Sequence, residues 1–162
     1  MKKIGVIEIL KLVASVLICQ FAGVIGSFLT TPSIPTWYAT LNKPFFTPPS
    51  WLFAPVWITL YTLMGISAFL VWRKGLSAQN VRTASIIFAV QLILNVLWSA
   101  VFFALRSILG GLIVIAILWI AILLTILSFY KISKTAGLLL IPYILWVSIA
   151  TALNFSVSIL NP

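Results

Sequence analysis

Apolar residues run in five long stretches, at 4–29, 51–72, 83–105, 108–130 and 138–160, separated by three short polar breaks and one long proline-rich break. Each stretch is long enough to cross a hydrocarbon core about 30 Å thick, which takes about 20 helical residues. Backbone groups in hydrocarbon must bond within their own segment, so each stretch predicts a transmembrane helix. The expected fold class is therefore all-α integral membrane. A single domain over residues 1–162 should form a five-transmembrane-helix bundle, with a long structured loop over 30–50 between the first and second helices.

The few polar residues inside these stretches fall in patterns. In the third, Gln91, Asn95, Trp98 and Phe102 are spaced 4, 3 and 4, so they share one helix face. An amide in hydrocarbon must find a partner, because leaving it unsatisfied costs on the order of several kcal/mol. Interhelical hydrogen bonding and a polar-lined cavity both meet that need, and the stripe alone does not choose between them. Trp57, Tyr61, Met64 and Ala68 in the second stretch repeat the 4, 3, 4 spacing, and Trp146, Ala150, Leu153 and Asn154 share one side of the fifth. The fourth carries Thr125 and Ser128 among apolar residues, so much of it should face lipid, with Trp119 as packing. In the first, Ala22 and Gly26, and Gly23 and Ser27, are small residues four apart. That spacing allows close helix approach, either within the bundle or between two copies in a homodimer. Glu8 and Lys11 can pair with each other or reach the headgroups.

The long break is unusual in another way. Five of the eight prolines (Pro32, Pro35, Pro44, Pro48, Pro49) lie between residues 30 and 50, where fixed φ angles and missing N–H donors oppose a regular helix and favour a stiff, folded-back connection. Trp37, Tyr38, Phe45, Phe46 and Trp51 load it with apolar surface that a solvated linker does not need. It reads as a lid.

Composition sharpens the class and narrows the chemistry. The chain is 63% hydrophobic and 7% charged, with a mean hydropathy of +1.25, far outside the soluble range. Its net charge of +9 sits at the ends of the apolar stretches, so the expected partner is membrane lipid and not nucleic acid. Seven basic residues (Lys2, Lys3, Arg73, Lys74, Arg82, Lys131, Lys134) fall on one side of a five-span topology, and Lys43 and Arg106 on the other. The positive-inside rule then places the N-terminus in the cytoplasm, with the loop 30–50 and the C-terminus outside a prokaryotic cell (inner) membrane. Glu8 and Lys11 interrupt what would otherwise read as a signal-peptide core. With no histidine, one acid (Glu8) and one cysteine (Cys19), there is no expected metal site, catalytic carboxylate pair or disulfide. No catalytic residue is assigned.

The motifs Trp37-Tyr38, Leu41-x-Lys43-Pro44-x-x-x-Pro48-Pro49 and Trp57-x-x-x-Tyr61-x-x-Met64-Gly65 occur in that order. They are followed by Gln91-Leu92-x-x-Asn95-x-x-Trp98-Ser99-x-x-Phe102-Phe103 and Pro142-Tyr143-x-x-Trp146-x-x-x-Ala150-x-x-Leu153-Asn154. Over nearly its whole length the chain thereby resembles the tryptophan-rich sensory protein family (TspO/MBR), also called the translocator protein or peripheral benzodiazepine receptor family. The resemblance implies a five-helix bundle, often a homodimer, with a cavity closed by the first loop. It implies ligands of porphyrin and other tetrapyrrole type, isoquinoline and benzodiazepine-like drugs and, in some members, cholesterol. Carried over by motif, the ligand-binding residues are Trp37, Tyr38, Trp57, Gln91, Asn95, Trp98, Trp146, Ala150 and Asn154, to which the shared face of the fifth stretch adds Leu153.

Two departures bear on this. Phe46 stands where the family often has tryptophan, which keeps the bulk and loses a donor. The segment after Asn154 has Phe155 but neither the tyrosine nor the base of the cholesterol-associated motif, so specific cholesterol binding is not expected. A porphyrin suits a slot lined by Trp57, Trp98 and Trp146, with Lys43 at the mouth to attract its propionates or simply to reach the headgroups. Without histidine, a metal-free protoporphyrin is expected over haem. The function expected is that of a membrane ligand-binding sensor or transporter that requires no cofactor. The alternatives are tryptophan-dependent, light-driven porphyrin breakdown and a membrane scaffold with an incidental cavity. Ion-coupled transport is disfavoured by the absence of midplane acids.

Overall fold

The computed structural model describes residues 5–162; Lys2, Lys3 and the expected helix start at residue 4 lie outside the described residues. Six α-helices form: α1 (Val6–Thr30), α2 (Ser50–Trp72), α3 (Gln79–Ser99), α4 (Ile108–Ile132), the short α5 (Lys134–Leu139) and α6 (Ile141–Leu160). A 3-10 turn (Thr31–Ser33) and a π turn (Ile34–Tyr38) prolong α1, and a second π turn (Ala100–Ala104) prolongs α3. The five spans are thus Val6–Tyr38, Ser50–Trp72, Gln79–Ala104, Ile108–Ile132 and Lys134–Leu160, each long and apolar enough to cross a membrane. No strand occurs among the described residues, and the expected all-α five-span architecture is the one observed.

The boundaries depart from the hydropathy pattern where proline chemistry intervenes. The first half of the loop 30–50 is not irregular: helical turns continue to Thr40, and only 41–49 lies outside helix. Pro32 and Pro35 occupy the opening positions of the 3-10 and π turns, where the missing N–H has no partner to lose, so they permit helical turns there. The fifth span begins at Lys134, earlier than the expected 138, and is interrupted at Leu140. Pro142 cannot donate into the preceding turn, so the chain stops and restarts, with Pro142 again in an opening position. The third span starts at Gln79 instead of 83, with Gln79, Asn80 and Arg82 exposed in its first turn and Val81 buried.

Close packing rests on small residues. The buried positions of α1 are Ser15, Cys19, Ala22 and Gly26, a narrow stripe that lets α2 and α3 approach while Leu10, Leu17, Phe21 and Phe28 face outward. A Cβ at Gly23 would lie 2.5 Å from the Tyr61 ring, and one at Gly65 2.5 Å from the backbone of Val16. The small-residue spacing is therefore spent inside the bundle, with Ala22, Gly23 and Gly26 turned to neighbouring helices and only Ser27 exposed. Gln20 ties the same pair together, its Nε2 donating to Ile58 O (3.0 Å) and Thr62 Oγ1 (2.9 Å). Ser67 Oγ donates to Ala136 O (2.7 Å), fastening α2 to α5. Glu8 does not pair with Lys11: its carboxylate accepts from Arg73 Nη2 at 3.0 Å, across from α1 to the end of α2, and Lys11 lies over the Trp72 ring.

The backbone of α6 lies close to that of α4 but comes close to α2 and α3 hardly anywhere. Side chains of α6 meet those of α2 and α3 across the wedge between them, at Tyr143, Trp146 and Asn154. α4, expected to face lipid over much of its surface, also carries a buried strip from Gly111 through Ile115, Leu118, Ile122 and Thr125 to Phe129 that contacts α3 and α6.

Gly65→Ala should lower the thermal unfolding temperature in detergent by several degrees, because the added methyl meets backbone that can move only by separating α1 from α2, an overpacking cost of about 1–3 kcal/mol. Gly5→Ala, with nothing within 4 Å among the described residues, is the control and should leave it unchanged.

Candidate functional site

The site is assembled by two π turns that face each other. An α-helix sets consecutive side chains about 100° apart, whereas the wider π turn relaxes that angle and leaves a carbonyl outside the usual ladder. In the turn Ala100–Ala104, Leu105 N–H donates to Ala100 O (2.8 Å), and both Phe102 and Phe103 are buried, their rings 4.8 Å apart. The turn Ile34–Tyr38 likewise presents two consecutive aromatics. Trp37 meets Phe102 edge-on at 5.4 Å and Tyr38 meets Phe103 at 5.6 Å. Ser33 Oγ donates to the Phe103 carbonyl (2.8 Å), satisfying backbone inside the wider turn and fixing the root of the lid. Arg106 then takes a left-handed conformation (φ 53°), and Ser107 caps α4 by accepting from Gly110 N–H (3.1 Å).

Beneath this aromatic joint lies a cavity of about 30 Å³, room for one or two waters. Tyr38 and Pro48 close it from the lid, and Phe53 and Trp57 line it from α2. Trp98, Phe102 and Phe103 come from the third span, and Trp146, Ile149, Ala150, Leu153, Asn154 and Val157 from α6. Its rings are mutually oriented: Trp98 stacks on Phe102 (5.7 Å, 19°) and Phe53 meets Trp146 edge-on (5.7 Å). The main polar group at the wall is the Asn154 amide, whose Oδ1 accepts from Trp98 Nε1 (3.2 Å) and whose Nδ2 donates to Ile108 O (3.0 Å). Gly111 leaves room for it, since a Cβ there would lie 3.0 Å from Asn154 Oδ1.

A second polar cluster lies behind Trp57, which stacks on Tyr61 (5.5 Å, 30°) and meets the Tyr143 ring edge-on (6.4 Å). There Tyr61 Oη donates to Asn95 Oδ1, Asn95 Nδ2 donates to Tyr143 Oη (2.9 Å), and Tyr143 Oη donates to Gln91 Oε1 (2.9 Å). All four residues are buried, and Gln91 Nε2 has no partner among the described residues. For Gln91 and Asn95 the interhelical hydrogen-bonding reading of the polar stripe is thus the one this geometry shows.

The sequence pattern of the TspO/MBR family matches residues 15–160. The chain belongs to the TspO/MBR family. It is similar to the tryptophan-rich protein TspO of Archaeoglobus fulgidus, 49% identical over 154 residues that cover 95% of this chain and 99% of that one. It is also similar to the protein CrtK of Rhodobacter capsulatus, 41% identical over 146 residues, 89% of this chain and 88% of the relative. The translocator protein of Ovis aries is 41% identical over 88 residues, about half of each chain (51% and 52%).

Set on this TspO/MBR bundle, the ten residues singled out from sequence separate into three places. Tyr38, Trp57, Trp98, Trp146, Ala150, Leu153 and Asn154 line the cavity. Trp37 stands one layer back, against Phe102, and Gln91 and Asn95 lie in the tyrosine-amide network outside the lining. Lys43 is committed locally: Nζ donates to Tyr38 O (2.8 Å) and Leu41 O (2.9 Å) while lying 4.9 Å from the Tyr38 ring centre, so its charge holds the lid's own turn together. Pro48, Phe53, Phe102, Phe103, Ile149 and Val157 were missed as lining residues. The adjacent pair Phe102-Phe103 just before a turn was a usable signal, but the π turn that buries both is not visible in hydropathy.

Asn95→Leu should destabilise the bundle by about 1–3 kcal/mol, because it strips an acceptor from Tyr61 and a donor from Tyr143, both buried. Gln91→Leu should cost less, since it also removes the unpartnered Nε2. Detergent unfolding of both variants against wild type checks the order.

Proposed function

We propose that this membrane protein binds flat, mainly apolar aromatic ligands of the tetrapyrrole (porphyrin) class, and isoquinoline or benzodiazepine-like molecules, in the cavity under the lid, acting as a sensor or transporter. The observation that carries this reading is the lining: indole, phenol and phenyl rings from the lid and three spans around one amide, Asn154. Ring faces stack on a flat ligand, and the amide can pair with a single polar group at its edge. Ligand sites of this kind have volumes of about 300–1,000 Å³, so the present cavity of about 30 Å³ is the closed form. Entry and exit require transient displacement of the lid, and occupancy requires the aromatic side chains to move apart beneath it.

The donor set favours a metal-free porphyrin over haem. The chain has no histidine and Cys19 is buried outside the cavity lining, which leaves the Tyr38 phenol, a rarer axial ligand, as the lining group able to ligate iron. The reading extends to an N-terminus in the cytoplasm, with the lid and C-terminus outside a prokaryotic inner membrane, supported by the seven-to-two bias of basic residues between the two sides. It includes a homodimer whose contact lies away from the α1 small-residue stripe, since that stripe packs inside the bundle. Light-driven porphyrin breakdown is the second reading, favoured by Trp57, Trp98 and Trp146 all standing at the cavity wall.

Titrating purified protein with protoporphyrin in the dark should give saturable quenching of tryptophan emission. Trp146→Leu should weaken binding about 2- to 10-fold, the equivalent of one lost stacking contact. Absence of saturable quenching would sink the reading. Haem should bind without the spectral signature of axial ligation. Illumination of the complex should leave porphyrin absorbance intact; bleaching that disappears in Trp57→Phe would establish the second reading instead.

A further inference from the structure

Hydrogen bonds join the lid to parts of the bundle distant in sequence at two places among the described residues, and they differ in kind. At the root, Ser33 and the aromatic pairs Trp37–Phe102 and Tyr38–Phe103 join the two π turns in a tight, largely apolar joint. Farther along, where the chain has left helix, the bond is made by Asn161, which follows the last turn of α6. Its Oδ1 accepts from Asn42 N–H (2.9 Å) and its Nδ2 donates both to Asn42 O (3.0 Å) and to Val157 O (2.9 Å). One side-chain amide thus pairs with the backbone N–H and C=O of residue 42 much as a neighbouring strand would. The Asn42 side chain adds only a 3.4 Å contact to Leu160 O. This pairing is exposed and competes with water, whereas the root is not. Pro48, which closes the cavity, lies in the same irregular segment 41–49 that the pairing restrains.

We propose that Asn161 is the latch of the lid: its amide clasp on the backbone of Asn42 holds 41–49 over the cavity, and molecules enter and leave by release of that clasp while the π-turn root stays docked. The latch rests on the ligand-binding reading for its purpose, but its motion can be read without any ligand. The contrasting route is lateral, from the bilayer between α6 and its neighbours, which leaves the lid shut.

The test places a single reactive thiol in the cavity. Leu153 is buried and lines the cavity, and Cys19, at 1% exposure, stays silent. Maleimide labelling of Leu153→Cys should accelerate roughly 5- to 100-fold when Asn161→Ala is added, the range expected for losing two exposed hydrogen bonds from the closed state. Asn161→Asp, which keeps the acceptor and loses the donor to Asn42 O, should fall between. Asn42→Ala should change little, because the clasp holds its backbone. If L153C does not fold, Ala150→Cys offers a smaller change on the same wall. With protoporphyrin as probe, Asn161→Ala should raise association and dissociation rates together and leave Kd nearly unchanged. A merely structural role would instead weaken binding and lower the unfolding temperature with no gain in association rate. Labelling at the wild-type rate in the Asn161→Ala background overturns the latch. Faster labelling in a protein that binds no protoporphyrin upholds the latch and defeats the ligand reading.

Discussion

Hydrocarbon offers a polar group nothing to bond, and this constraint decides where almost every polar atom of the bundle goes. Gln20 is spent on Ile58 and Thr62, Ser67 on Ala136, Ser33 on Phe103 and Asn154 on Trp98 and Ile108. Each of these bonds joins segments distant in sequence, so satisfying the amides and hydroxyls also fixes which helices are neighbours. Tyr61, Asn95, Tyr143 and Gln91 do this for three spans at once. Among the described residues, Gln91 Nε2 is the buried side-chain atom at which that rule is not met.

Within that frame, apolar packing divides the bundle into a tight half and a loose half. α1 and α2 approach closely because Gly23 and Gly65 have no side chain in the way, and Cys19 and Ala22 keep the same face narrow. The backbone of α6 lies close to that of α4, and its other side meets α2 and α3 through large rings and side-chain hydrogen bonds. Rings cannot interdigitate as closely as backbone on glycine, and the space they leave is the cavity. The site is therefore a consequence of where bulk was placed, with the same residues supplying both the spacer and the lining.

Much of this was legible in the sequence. Five apolar runs fixed the spans, and the 4, 3, 4 spacings put Trp57 with Tyr61 and Gln91 with Asn95 on the faces they occupy. Helical periodicity shows which residues share a face, but not how deep along the bundle axis each one lies. That is why Asn154 at the cavity wall and Asn95 behind Trp57 looked alike. The prolines misled in the first loop because their effect depends on position within a turn, and Pro32 and Pro35 stand at openings. The pairing of Glu8 with Arg73 joins residues 65 positions apart and leaves no mark in local sequence.

The Asn42–Asn161 pairing separates two kinds of information that usually reside in one residue. Position 42 offers only its peptide group, which every amino acid except proline supplies in full, while position 161 must be an amide of the right reach. The chain can thus exchange the side chain at position 42 and keep its closure, and the instruction to close is written 119 residues away, beyond the last membrane helix. A comparison of lid sequences alone would find nothing there to read.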